Sequence, residues 1–212
     1  MLKIAVLVSG GGTNLQALID AEKNGEIKNG TITCVIASNR EAPAIERAKK
    51  AQIKTEILVK KEFETPSEYD EALLNLLEKD QIDLVVLAGF MTILSDTVIA
   101  EYRGRIINVH PSLIPAFCGD GFYGIHVHRA ALERGVKLTG ATVHFVDEVC
   151  DGGPIILQKA VEVKDDDTPE MLQRRVMKEA EWILLPKAVS FFCEGKLDII
   201  GNRVLIRKTA NL

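Results

Sequence analysis

Lys3-Ile4-Ala5-Val6-Leu7-Val8-Ser9-Gly10-Gly11-Gly12-Thr13-Asn14-Leu15-Gln16-Ala17-Leu18-Ile19 decides the fold. Lys3 to Ser9 is a short apolar run rich in Val and Ile, the pattern of a parallel strand buried on both faces. The glycines end that run. Apolar residues then return at helical spacing from Leu15. A strand, a Gly-rich turn and a helix start make an anion site, because the first-turn N–H groups point outwards along the helix dipole. The P-loop needs Gly-Lys-Ser/Thr at its end, which is absent. The dinucleotide fingerprint needs a third Gly where Leu15 stands and an acid after the next strand. That strand, Thr31 to Ser38, runs into Asn39-Arg40 instead. The loop suits a monophosphate better than NAD. A tight turn with no ligand is the competing reading.

Beyond this unit the strand–helix alternation continues. Pro43 to Ala51 reads as a helix opened by proline, Lys54 to Val59 as a strand, and Ser67 to Asp80 as a helix. Leu84 to Ala88 is a further buried strand. The apolar run Gly89-Phe90-Met91-Thr92-Ile93-Leu94 leaves it, as a lid on the core or as one wall of a flat ring-binding pocket. Ser95 caps a helix running towards Tyr102. Ile125 to Arg134 is helical with Gly135 as its stop. Thr139 to Val146, carrying His144, and Ile155 to Val163 are strands. Thr168-Pro169-Glu170 opens a long helix that passes Trp182 and kinks or restarts near Pro186. Asp198 to Ile206 forms a hairpin about Gly201-Asn202. The pattern predicts one α/β domain over residues 1–212, a doubly wound and mostly parallel sheet with a small C-terminal hairpin.

Arg105 to Pro154 holds the candidate chemistry. Ile106, Ile107 and Val109 form a strand that Pro111 ends at His110. Asn108 and His110 are two apart and share one face. Asp151 arrives from a turn before Gly152-Gly153. An amide, an imidazole and a carboxylate can move a proton and stabilise an oxyanion. On spacing alone, a structural strand end and a turn carboxylate explain these residues equally well. Ala116 to Gly124 carries three glycines and reads as a mobile loop beside the site.

Composition narrows the class. The 212 residues are 47% hydrophobic, enough for a sizeable core. A net charge of −4 and a pI near 5.7 argue against a nucleic-acid partner. No apolar run of about 18 residues appears, so no membrane partner is expected. Met1 to Val6 is too short an apolar run to read as a signal peptide, so none is expected, and Cys34, Cys118, Cys150 and Cys193 form no Cys-x-x-Cys pair. Free thiols in the cytoplasm are the expectation. His126 and His128 diverge on their helix, and no zinc spacing occurs, so no metal is assigned.

The motifs together resemble the phosphoribosylglycinamide formyltransferases, within the folate-dependent formyltransferase family. The resemblance rests on Val8 to Gln16, Leu87 to Leu94, Asn108 to Pro115 and Asp151 to Ile156, and spans essentially the whole chain. It implies formyl transfer from 10-formyltetrahydrofolate, as co-substrate, to the amine of 5'-phosphoribosylglycinamide in de novo purine (IMP) biosynthesis. It implies Asn108, His110 and Asp151 as catalytic, and Gly12, Thr13, Asn14 and Glu181 on the ribonucleotide. Met91, Thr92, Ile93 and Leu94, with Asn108, match the folate pocket. A cytoplasmic monomer or weak homodimer is expected. The sequence departs from the family at Ala116 to Gly121, where a basic residue, an aromatic and Pro-Gly are common. It also departs near Pro66, where some members carry a folate-tail arginine. The alternatives are a formyltetrahydrofolate hydrolase without its regulatory domain, and a non-catalytic nucleotide-phosphate-binding regulator.

Overall fold

A computed structural model describes residues 1–207. The middle strand of its parallel part is β1 (Leu2–Val8), whose side chains alternate between two cores. Ile4, Val6 and Val8 join one apolar cluster, and Ala5 and Leu7 join the other. Both faces of the strand are therefore dry, which explains its unbroken apolar run.

Around it lie β2 (Gly30–Ala37), β3 (Lys54–Ile57), β4 (Leu84–Leu87), β5 (Ile106–His110), β6 (Leu138–Phe145), β7 (Ile155–Glu162), β8 (Leu197–Ile200) and β9 (Arg203–Ile206). They form one nine-stranded sheet in the order β3-β2-β1-β4-β5-β6-β7-β9-β8. The first five strands are parallel. β5–β6 and β6–β7 are antiparallel. The hairpin β8–β9 turns at Gly201-Asn202 and meets β7 at one residue pair, Ile155 with Arg203. This is the doubly wound, mostly parallel sheet with a C-terminal hairpin that the sequence predicts.

Helices cover both faces. α1 (Thr13–Lys23), α2 (Ala44–Lys50), α5 (Ile125–Arg134), α6 (Pro169–Val176) and α7 (Trp182–Cys193) contribute to the first cluster. α3 (Pro66–Lys79) and α4 (Asp96–Glu101) contribute Tyr69, Leu73, Leu77, Val98 and Ile99 to the second. The local signals act as expected. Ser95 and Thr168 cap α4 and α6 through side-chain oxygens, and Gly135 ends α5 with φ 73°. One expectation shifts. The long C-terminal helix is interrupted at Met177–Glu181 by a π-helical turn, before Pro186, which lies inside α7. An extra residue in a turn frees a backbone donor upstream of the proline and rotates α7 relative to α6.

The chain order changes direction between β1 and β4. The loops leaving these two neighbours meet there, and an open α/β sheet binds its ligand at such a point. Ser9 N donates to Gly89 O at 3.2 Å, and Met91 N donates to Ser9 Oγ at 2.8 Å. The Gly-rich loop and the apolar 89–94 segment are thus tied together at the carboxyl edge of the sheet.

Candidate active site

Asn108 and His110 leave β5 on one face, as their spacing requires, and both meet Asp151. Asn108 Nδ2 donates to Asp151 Oδ1 at 3.5 Å, and His110 Nδ1 stands 3.3 Å from Asp151 Oδ2. A fourth residue joins them. His144 on β6 lies opposite Asn108 in the antiparallel register. Its Nδ1 donates to the Phe145 carbonyl at 2.8 Å, so in the neutral ring Nε2 accepts from Asn108 Nδ2 at 3.2 Å. His144 Nε2 is also 3.6 Å from Asp151 Oδ1. Sequence reading noted His144 only as part of a strand, because its role depends on cross-strand register.

The turn that carries Asp151 is sterically specified. Asp151 has φ 55°, in the left-handed region. A Cβ on Gly153 would lie 1.9 Å from the Phe145 carbonyl oxygen, and one on Gly152 would lie 2.6 Å from Val149 Cβ. Only glycines let this turn press onto the end of β6. Turn geometry and candidate chemistry therefore share the same residues.

Residues 116–124 lie beside the site, as expected, but anchored. Ser112 Oγ donates to the Ala116 carbonyl at 2.6 Å. His110 Nε2 donates to the Phe117 carbonyl at 2.8 Å, and Gly119 N donates to Asp151 Oδ2 at 2.9 Å. Both ring nitrogens of His110 thus face acceptors, which suits the imidazolium. Burial pushes the His110 pKa below its ordinary value, outweighing the upward pull of Asp151 and the Phe117 carbonyl. Burial alone would raise the Asp151 carboxyl. The neighbouring His144 and His110 rings and the Gly119 N–H more than offset this and hold it below its usual value.

Next to these groups opens a cavity of about 360 Å³. Met91, Thr92, Ile93 and Leu94 form one wall, and Asn108, His144 and Asp151 line it as well. Phe90, Ile99 and Val146 extend the apolar surface, while Asp120, Asp147 and Glu148 add acidic groups to the lining; an apolar wall facing a few polar groups is the pattern of a pocket for a flat ring with a reacting group at one edge.

The Gly-rich loop lies along the same sheet edge. α1 starts without a side-chain cap and without an acid in its first turn, so its N–H groups are left for an anion. A Cβ on Gly10 or Gly11 would meet nothing within 4 Å, so these glycines face open space. Gly12 differs. Its φ is 70°, and a Cβ there would lie 2.6 Å from Ala44 Cβ, so Gly12 serves packing against α2. Arg47 of α2 donates to the Gly11 carbonyl at 2.8 Å, a cation beside the loop that the sequence reading did not single out. Thr13 is partly buried. Asn14 is buried, and its Nδ2 donates to Glu181 Oε2 at 2.6 Å. Glu181 ends the π-helical turn. Burial pushes its carboxyl up to about 7, against the Asn14 hydrogen bond. Asn14 Oδ1 and Trp182 Nε1 are buried with no hydrogen-bond partner among the described residues.

The structure thus brings Asn108, His110 and Asp151 into contact. It lines one cavity with Met91 to Leu94 and Asn108, and it joins Asn14 to Glu181. Comparison with known proteins adds the lineage. The profile of the family described as "Formyl transferase" matches residues 2–189. The chain belongs to this family. Phosphoribosylglycinamide formyltransferase of Escherichia coli (strain K12) is 41% identical over 201 residues, covering 95% of this chain and 92% of that protein. The crystal structure of glycinamide ribonucleotide transformylase 1 from Symbiobacterium toebii superposes with a TM-score of 0.92 at 42% identity, covering 98% of this chain and 95% of that one. A formyltetrahydrofolate deformylase from Pseudomonas syringae pv. tomato str. DC3000 shares the fold with a TM-score of 0.87 at 27% identity, and this chain covers 66% of it. Identity is thus higher to the formyltransferases than to this deformylase.

Proposed function

We propose that the chain transfers the formyl group of 10-formyltetrahydrofolate to the primary amine of 5'-phosphoribosylglycinamide, a step of de novo purine biosynthesis. The products are formylglycinamide ribonucleotide and tetrahydrofolate. The carrying observation is the meeting of Asn108, His110 and Asp151, of which Asn108 and Asp151 line a cavity walled by Met91 to Leu94. An apolar slot ending in an amide, an imidazole and a carboxylate fits a flat folate with its formyl group at that end.

Asn108 presents an N–H to the oxygen on which charge develops. Its bond to Asp151 is long at 3.5 Å and is readily exchanged for that oxyanion. His110, once protonated, donates to the same oxyanion or delivers a proton to N10 of the leaving folate. Asp151 receives the proton lost by the attacking amine, directly or through water, and stabilises the imidazolium. Phe117 and Gly119 now occupy hydrogen-bonding positions on His110 and Asp151, so freeing these groups requires the 116–124 loop to shift. The N–H groups at Gly12, Thr13 and Asn14 hold the ribonucleotide phosphate, and Glu181 accepts from ribonucleotide donors. No covalent enzyme intermediate is required.

The loss of 10-formyltetrahydrofolate, followed by absorbance with and without the ribonucleotide, tests this reading. Transfer requires loss only when the amine is present. Equal loss in its absence identifies a hydrolase. Binding of the ribonucleotide without any formyl loss identifies a non-catalytic regulator. Replacing Asn108 by Ala should lower kcat by roughly 10² to 10³, the scale for one oxyanion donor.

A further inference from the structure

In a trans peptide the C=O and the N–H of one unit point in opposite directions, so whatever holds a loop's carbonyls also aims its N–H groups. Three consecutive carbonyls of the Gly-rich loop are held. Ala44 N, at the start of α2, donates to Gly10 O at 3.1 Å, and Gln16 N of α1 donates to Gly12 O at 2.9 Å. Between them, Arg47 Nε donates to Gly11 O at 2.8 Å. The N–H groups of Gly11, Gly12 and Thr13 are the opposite ends of these same three peptide units. Among the described residues, no backbone carbonyl accepts from the N–H of Gly11 or Gly12. Asn14 Oδ1, on the first turn of α1, is buried without a hydrogen-bond partner among the described residues, an acceptor that a ribonucleotide donor can satisfy.

Of these three donors only Arg47 uses its side chain. A backbone N–H comes with the helix that carries it, whereas this bond depends on the residue type. The side chain lies tightly against the loop: a Cβ on Gly12 would be 3.3 Å from Arg47 Cδ. A second guanidinium N–H, on Nη1, donates to Gln16 Oε1 at 3.2 Å, so Arg47 ties both the loop and the first turn of α1 to α2. Both acceptors are neutral, and these bonds fix geometry rather than pair charges. Glycine has the most freely turning backbone, so the peptide between Gly11 and Gly12 needs such a restraint to keep one orientation.

We propose that Arg47 is a positioning residue for phosphate recognition: its bond to the Gly11 carbonyl turns the Gly12 N–H towards the phosphate of the ribonucleotide. The proposal rests on the formyl-transfer reading above and adds to it a residue outside the loop. Arg47 acts through the peptide it holds and touches none of the reacting atoms.

Two variants isolate the bond. Gln places an N–H as far along the side chain as Arg Nε, and Met places a methyl there. R47M should raise the KM for 5'-phosphoribosylglycinamide by roughly tenfold or more, the scale of one hydrogen bond to a charged group. R47Q should recover most of that loss. The KM for 10-formyltetrahydrofolate should stay near the wild-type value in both variants, and so should kcat/KM for the phosphate-free acceptor ribosylglycinamide. Melting curves verify that both variants fold. Equal losses in R47M and R47Q, an unchanged ribonucleotide KM in R47M, or an equal loss with ribosylglycinamide would each overturn the proposal. Formyl transfer by wild type tests the underlying reading separately. Ribose 5-phosphate, titrated by calorimetry into wild type and both variants, tests Arg47 without any transfer. Weaker binding by R47M than by R47Q supports the proposal, and equal binding overturns it.

Discussion

Asn14 and Glu181, separated by 167 positions in sequence, meet in a 2.6 Å hydrogen bond shut away from water. Burial keeps the Glu181 carboxyl up at about 7 despite this bond. An acid whose folded pKa exceeds its unfolded value binds more protons when folded. Stability tied to Glu181 therefore falls as pH rises from the unfolded value of 4.5 towards 7. In Glu181→Gln that dependence should vanish while the acceptor for Asn14 is kept. Melting temperatures of wild type and variant, compared from pH 5 to pH 8, should diverge in favour of the variant as pH rises. Parallel curves would mean that Glu181 is ionised at little cost. The ribonucleotide KM should rise in the same variant, since its charge is lost.

Gly11 and Gly12 separate two roles within one loop. A Cβ on Gly11 meets nothing within 4 Å, so Gly11→Val should fold with a melting temperature close to wild type. It should still raise the ribonucleotide KM by about tenfold or more, because its side chain fills the approach to the helix N-terminus. Gly12→Val strikes Ala44 and forces a β-branched residue to φ 70°, so it should lower stability first. If Gly11→Val binds the ribonucleotide normally, the phosphate does not sit on this loop.

His110 and Asp151 should act as a unit. Asp151→Asn removes the main upward pull on a histidine that burial already depresses. The His110 pKa should fall further, which an NMR titration of the ring reads directly. Turnover should drop by orders of magnitude with the ribonucleotide affinity little changed. Combining His110→Ala with Asp151→Asn should cost far less than the two single losses added together. Additive losses would assign Asp151 to shaping the turn alone.

His128, fully buried on α5, has no hydrogen-bond partner among the described residues for either ring nitrogen. Burial, helped by nearby His110, pushes its pKa down to about 4. The unfolded chain takes up this proton more readily than the folded one. Its contribution is therefore present above the unfolded value of 6.5 and lost as pH falls towards 4. Urea midpoints measured from pH 7 down to pH 4.5 should decline in wild type. His128→Leu, which buries no titrating group, should flatten the part due to this residue. An unchanged slope would locate the acid lability elsewhere.

Much of this architecture is written in short-range pattern. The apolar run of β1, the proline that stops β5 at His110, the caps Ser95 and Thr168 and the Gly201-Asn202 hairpin each depend on backbone preferences of a few neighbouring residues. Those preferences act whatever the rest of the chain does. The shared face of Asn108 and His110 follows from the two-residue period of a strand in the same way.

What only the tertiary structure decided lies across long separations. The place of His144 comes from the β5–β6 register, and His144 is 36 residues away from Asn108. The packing duty of Gly12 comes from Ala44 on another helix, and the anchoring of Phe117 and Gly119 comes from His110 and Asp151. Residue types let the carboxylate's upward effect on His110 be foreseen, but the net downward shift depends on how much water the fold removes. Burial, register and close approach are properties of the assembled chain. Local dihedral preference and periodicity carry no record of them.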